Sequence, residues 1–190
     1  METSEPDCDV SAMIVKSLVL YSVAEAQAGH VTTISVTITC RTFSVSDNGR
    51  GHSVDRAVDG VPYLNLIYNH FDYPFDASSG PAVQLQGIAT SLVRSMCSDF
   101  TLTVRKAGTC HQLQFLGGTI STTARPMAPD EGRGNAISGT VMQSLPCAPD
   151  AATLERWLQG VAGSVPGLNV VFNGRQVLAP HPPEAPRAKS

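Results

Sequence analysis

Ser46-Asp47-Asn48-Gly49-Arg50-Gly51 is the stretch on which the fold turns. It follows two β-branched, alternating runs, Val31 to Cys40 and Arg41 to Ser46, that read as neighbouring strands. One carboxylate and two glycines therefore fall at a strand's end. An aspartate placed there can accept a hydrogen bond from the exocyclic amine of a purine, and glycines let the backbone lie close against a flat base. The competing reading is an ordinary Asp-Asn-Gly turn, which these residues favour on local grounds alone. The flanking sequence decides between the two.

Upstream, Ile14, Val15, Leu18, Val19 and Val23 recur at helical spacing from Ser11, predicting a helix with one buried stripe that stops at Gly29. Downstream, Val61 to Asn69 reads as a short helix, with Pro62 where a first turn tolerates it. Phe71 to Pro81 is too irregular for either period and reads as a lid-like loop, and Gly87 to Cys97 turns helical again. Asp99 to Lys106 and Thr109 to Leu116 flank Ala107-Gly108 as a hairpin. A strand over Thr119 to Ala124, a loop from Pro126 to Asn135 and a strand over Ile137 to Leu145 come next. The helix Ala151 to Val161 and the strands Leu168 to Phe172 and Arg175 to Leu178, joined at Asn173-Gly174, close the pattern. That order predicts an α+β, two-layer sandwich, a mainly antiparallel mixed sheet with helices on one face.

The chain has 190 residues, 42% of them hydrophobic, which is enough to close one core and little more. One domain is expected over residues 11–178, between a disordered polar start (1–10) and a disordered Pro-rich tail (179–190). A net charge of −3 provides no basic field, so direct binding to nucleic acid is not expected. No stretch reads as a membrane span, and the acidic start is unlike a secretory signal, so a cytoplasmic protein is expected. The 5 cysteines are widely separated and read as reduced thiols, with Cys40 and Cys110 packing in strand-like runs. The histidines are equally scattered; a metal site would have to be assembled from distant segments.

In this element order the chain resembles the ATP-binding domain of the DNA gyrase B protein and of its topoisomerase IV counterpart, members of the GHKL superfamily. The resemblance runs from about Val15 to Val177. Ala26-Gln27-Ala28-Gly29-His30 is similar to the family's Ala-Leu-Ala-Gly-His, and Ser46 to Gly51 to its Asp-Asp-Gly-Arg-Gly. Gly60-Val61 opens the next helix as in the family, and Gly139-Thr140 resembles its Gly-Thr on a pocket strand. Four landmarks in order are far harder to obtain by chance than one. The resemblance implies a Bergerat-type sandwich in which Asp47 takes the adenine amine and Thr140 shares a water with it. It further implies Gly49, Gly51 and Gly87 beside the nucleotide, Ile67 as an apolar wall, and Glu25 with Arg50 as a pair at the pocket edge. The plainer alternative for that pair is a solvated salt bridge worth under about 1 kcal/mol.

The departures carry as much information. The family's first helix holds a glutamate that activates water and, four residues later, an asparagine that ligates magnesium; those positions here are Ser17 and Tyr21. Serine cannot act as the base near neutrality, and a bulky phenol is a poor magnesium ligand, so neither a catalytic residue nor a metal ligand is expected. Where the family wraps the triphosphate with Gly-Gly-Leu-His-Gly-Val-Gly, this chain has Ala82-Val83-Gln84-Leu85-Gln86-Gly87-Ile88-Ala89 and keeps only Gly87. No counterpart is legible for the family's transducer domain, metal-binding domain or Arg-Pro-Gly-Met-Tyr arm, and no stand-alone topoisomerase activity is expected. Three functions stay open. The first is a degenerate ATP-binding domain that takes ATP or ADP without needing magnesium and has weak or lost hydrolysis. The second is a scaffold or modulator without nucleotide, acting on a protein partner such as an intact topoisomerase subunit. The third is a slow ATPase using Glu25 or another carboxylate, or a fragment of a type II topoisomerase.

Overall fold

A computed structural model describes residues 9–54, 57–58, 60–62 and 90–179. Helix α1 (Val10–Gln27) starts where the Asp9 carboxylate accepts from both the backbone N–H and the hydroxyl of Ser11, at 3.1 and 2.7 Å. It stops at Gly29, as its sequence predicts. There the chain turns left-handed (φ 80°), and the Gly29 and His30 amides donate back to the Ala26 and Glu25 carbonyls. This is the Schellman arrangement, which satisfies carbonyls the helix leaves open. The buried face is wider than one apolar stripe. It includes Ser11, Ser17 and Ser22 beside Ile14, Val15, Leu18, Val19 and Val23.

Strands β1 (Thr33–Thr39) and β2 (Thr42–Asp47) form a hairpin over the two-residue turn Cys40-Arg41. The short pair β3 (Ala57–Val58) and β4 (Val61–Pro62) follows, and then helix α2 (Thr90–Ser95). The long strands β5 (Cys97–Lys106), β6 (Thr109–Leu116), β7 (Thr119–Pro126) and β8 (Gly134–Val141) come next. Helix α3 (Ala151–Ser164) and the strands β9 (Asn169–Phe172) and β10 (Arg175–Val177) complete the described chain. Eight strands make one mixed sheet in the order β10-β9-β1-β2-β8-β5-β6-β7, where only β1 and β9 run parallel. The helices lie to one side, which is the α+β sandwich expected from the element order.

The core fills the space between α1, α3 and the sheet. Ile14, Val15, Leu18 and Val19 of α1 and Leu154 and Leu158 of α3 meet Ile34, Val36, Phe43, Val45, Phe100, Leu102 and Val170 of the strands. Asp150 caps α3 through the Ala152 and Thr153 amides, and Lys16 lies 5.8 Å from the Trp157 ring, tying the two long helices together. The core does not reach beneath β7, all of whose residues are exposed.

Several sequence-based expectations are corrected. Val61 and Pro62 are extended, not helical, because a residue before proline is pushed out of the helical region; 63–69, the lid and Gly87 lie outside the described residues. Cys97 opens β5 and does not end a helix. Strand β8 begins at Gly134 and ends at Val141, three residues earlier at its start than the apolar run predicts and four earlier at its end. Cys40 is exposed because it forms the β1–β2 turn, whereas Cys110 is buried. By length and composition α1 is apolar enough to cross a membrane; here 56% of it is buried within the domain, as befits a core helix.

Candidate nucleotide site

The Asn48 side chain fixes the path of the chain as it leaves β2. It accepts from the Thr32 and Thr33 amides, both at 2.9 Å, and donates to the Thr32 hydroxyl at 2.8 Å. This staples the end of β2 to the start of β1. The glycines that follow serve different needs. A Cβ on Gly49 would come 2.7 Å from Val31 Cγ2 and 3.0 Å from the Asp47 carboxylate, so Gly49 is required for space. Gly51 has φ 75°, so it is required for backbone conformation.

Asp47 is half-buried and its carboxylate is gripped from three elements. Oδ1 accepts from the Gly49 amide at 2.9 Å and the Asn135 amide at 3.3 Å. Oδ2 accepts from the Ser22 hydroxyl of α1 at 2.9 Å and the Asn135 side-chain amide at 3.4 Å. Gly134, just before Asn135, has φ 126° and passes so close that an added Cβ would overlap the Asp47 carbonyl oxygen. A rigid acceptor therefore stands at the junction of α1, β2 and β8.

Three side chains on one side of α1 clasp the end of β2 and the segment after it: Tyr21, Ser22 and Glu25. Glu25 meets Arg50 as a fork, with Nε–Oε2 at 2.9 Å and Nη2–Oε1 at 3.0 Å. The hydrogen bond from Arg50 holds the Glu25 carboxyl below its ordinary range, and the same bond raises the guanidinium. Tyr21 Oη lies 3.0 Å from His52 Nδ1, and the two rings are 4.9 Å apart at 38°. The His52 amide donates to Asn135 Oδ1 at 2.9 Å. His52 is buried, and desolvation lowers its pKa to about 4 against the opposing pull of Asp47 and Glu25, which keeps the imidazole neutral at pH 7.

The structure thus brings Gly49 against Asp47 and Arg50 against Glu25 at the end of β2, with Gly51 next in the chain. It does not bring Thr140 to them. Thr140 pairs with Thr42 at the opposite end of β2, and the β8 residue beside Asp47 is Asn135. Gly139 serves packing, since a Cβ there would come 3.1 Å from the Phe43 ring. The Gly-Asn pair 134–135 escapes sequence reasoning because the apolar run that marks β8 starts only at Ile137. Its one legible signal is a glycine followed by an amide at the head of a strand. Ile67 and Gly87 lie outside the described residues. Ser17 is buried, with its hydroxyl donating to the Met13 carbonyl at 3.0 Å. Among the described residues, no group of three or more His, Cys, Asp or Glu side chains is placed to hold a metal.

An α+β sandwich with an aspartate–glycine floor between its first helix and a central strand defines a class, the GHKL ATP-binding fold. The chain shares this fold, and its sequence is similar to that of gyrase B proteins. The gyrase B protein of Campylobacter jejuni is 33% identical over 104 residues, covering 52% of this chain and 14% of the relative. Its counterpart from Metamycoplasma hominis is 30% identical over 142 residues, covering 71% of this chain and 21% of the relative. The chain therefore spans about a fifth or less of these curated relatives.

Among solved structures, the topoisomerase II ATPase and transducer domains of Balamuthia mandrillaris superpose with a TM-score of 0.77 at 19% identity, over 89% of this chain and 48% of that one. The 43K ATPase domain of Thermus thermophilus gyrase B, solved with an aminocoumarin, gives 0.67 at 24% identity, over 87% and 45%. The topoisomerase IV ATP-binding domain of Francisella tularensis, solved with a small-molecule inhibitor, gives 0.69 at 16%, over 84% and 79%. No protein-family model matches the chain.

Proposed function

We propose that this chain is a degenerate ATP-binding domain of the gyrase B type, which recognises an adenine nucleotide but hydrolyses it weakly or not at all. The observation that carries the proposal is the Asp47 carboxylate, held rigidly at the end of β2 with Gly49 and Gly51 beside it. These residues suit a purine: a fixed acceptor for the amine, and backbone that can approach the ring. The position for a water-activating carboxylate holds Ser17, whose hydroxyl is committed to the helix backbone. The position for a magnesium-ligating amide holds Tyr21, committed to His52. Neither offers a base or a compact oxygen ligand, so magnesium does not fit this end of the site. The domain acts by binding, in the cytoplasm, with a larger topoisomerase subunit as its protein partner.

Thermal shift with ATP, ADP and a non-hydrolysable analogue, with and without magnesium, tests the proposal. At a hundredfold excess over Kd, ligand adds about 2.7 kcal/mol, or roughly 5–10 °C for a chain of this size. The expected shift is indifferent to magnesium and lost in Asp47→Asn, measured against that variant's own baseline. Phosphate release that depends on magnesium would overturn the loss of hydrolysis.

A second reading, a scaffold without nucleotide, is favoured by one feature. The Asp47 carboxylate already receives four internal donors, about as many as its lone pairs accommodate. No shift with any nucleotide would establish that reading in place of the first.

A further inference from the structure

At the end of the sheet opposite Asp47, the β1–β2 turn meets the segment between β8 and α3, and two cysteines meet there with them. The Cys147 thiol donates to the Cys40 carbonyl with sulfur and oxygen 3.2 Å apart, across 107 residues of chain. A carbonyl oxygen lies within about 2.5 Å of its own Cα, which puts the Cys147 sulfur no more than roughly 6 Å from the Cys40 Cα. The Arg41 guanidinium holds the two segments in this relation by donating to the Met142 and Leu145 carbonyls at 2.8 and 3.0 Å. The Val141 amide returns a bond to the Arg41 carbonyl at 2.9 Å. Cys40 is exposed and Cys147 partly so. Cys97 and Cys110 are buried, and burial pushes the Cys97 thiol up to about 12, leaving it inert.

We propose that Cys40 and Cys147 are a site of reversible oxidation, closing an intramolecular disulfide between the β1–β2 turn and the loop before α3. A disulfide joins Cα atoms about 4.4–6.8 Å apart, and a Cys147 sulfur already against the Cys40 carbonyl is close enough for side-chain rotation to bring the two sulfurs toward each other. The oxidant is a small-molecule disulfide of the glutathione class. Cys40, the exposed thiol, loses its proton to solvent and attacks one sulfur of the oxidant, breaking its S–S bond and releasing one small thiol. The Cys147 thiolate then attacks the Cys40 sulfur, breaking the mixed disulfide and releasing the second. Two protein thiols lose two electrons and two protons, and the oxidant gains both. The bond closes a long loop, so it stabilises the fold, and it lies away from the nucleotide site.

The test is exposure of the full chain to oxidised glutathione, followed by digestion without reductant and mass spectrometry. The expected product is a Cys40 peptide joined to a Cys147 peptide, two hydrogens lighter than their sum, cleaved by reductant and accompanied by a rise in Tm of several degrees. Cys40→Ser and Cys147→Ser each abolish the linked product. Separate glutathione adducts on both cysteines, dimers joined through Cys40, or two thiols left unmodified would each overturn the proposal. None of these outcomes depends on whether the chain binds nucleotide.

Discussion

The Tyr21 hydroxyl shares a hydrogen bond of 3.0 Å with Nδ1 of the buried His52. The two residues sit on different elements, Tyr21 on α1 and His52 just past Gly51, and a phenol is not what the gyrase B resemblance implies at position 21. The side chain is thereby turned to bracing the segment that follows Asp47. Replacing Tyr21 with Phe removes the hydroxyl and keeps the ring. The expected loss is about 1 kcal/mol of stability, read by urea unfolding with an unchanged m-value. If Tyr21→Phe costs as much in a His52→Gln background as in the native chain, the two side chains are not coupled.

Burial of His52 links stability to pH. Its folded pKa, about 4, lies below the ordinary 6.5, so the unfolded chain binds the extra proton between those values. Stability contributed by the neutral imidazole is complete above pH 6.5 and is lost as pH falls toward 4, by up to about 3 kcal/mol. Between pH 7 and 5 the Tm of the native chain should fall faster than that of His52→Gln. Parallel curves would show that the imidazole is not desolvated.

Gly134 and Gly160 make a matched pair of substitutions. Alanine at 134 meets the Asp47 carbonyl oxygen and a φ of 126°, so a loss of roughly 2–4 kcal/mol is expected. Alanine at 160, on α3 with open space around its Cβ, should gain about 0.5–1 kcal/mol from helix propensity. Chemical denaturation of both variants checks the contrast; a tolerated Gly134→Ala would mean that β8 does not pass Asp47 so closely.

The fork between Glu25 and Arg50 is expected to matter little for stability. Arg50 is half-exposed, and pairs of that kind are worth under about 1 kcal/mol. Because Arg50 depresses the Glu25 pKa, whatever the pair contributes is present above pH 4.5 and fades as pH falls below it. Glu25→Gln should shift Tm by no more than about 2–4 °C, and less at high salt. A larger, salt-independent loss would place the pair inside the protein's essential packing.

Leu154 of α3 is buried in the core against the sheet, and Leu154→Ala should cost about 2–5 kcal/mol. A smaller loss, measured by denaturant titration, would mean that α3 closes over the gap.

Much of this architecture is legible in the chain itself because it rests on local chemistry. Gly29 ends α1 through a left-handed backbone that other residues resist, and the alternation of Val31 to Ser46 marks a strand pair before any partner is known. Asp47, Gly49 and Gly51 stand out for the same reason. What lies beyond local pattern is decided by packing across the chain. The register between β2 and β8 selects Asn135 over Thr140, since the residue opposite a strand's end depends on where the distant strand starts. The partnership of Tyr21 with His52, and of Cys40 with Cys147, joins positions 31 and 107 residues apart. Neither spacing nor composition encodes such meetings, which exist only once apolar burial has closed the sheet against its helices.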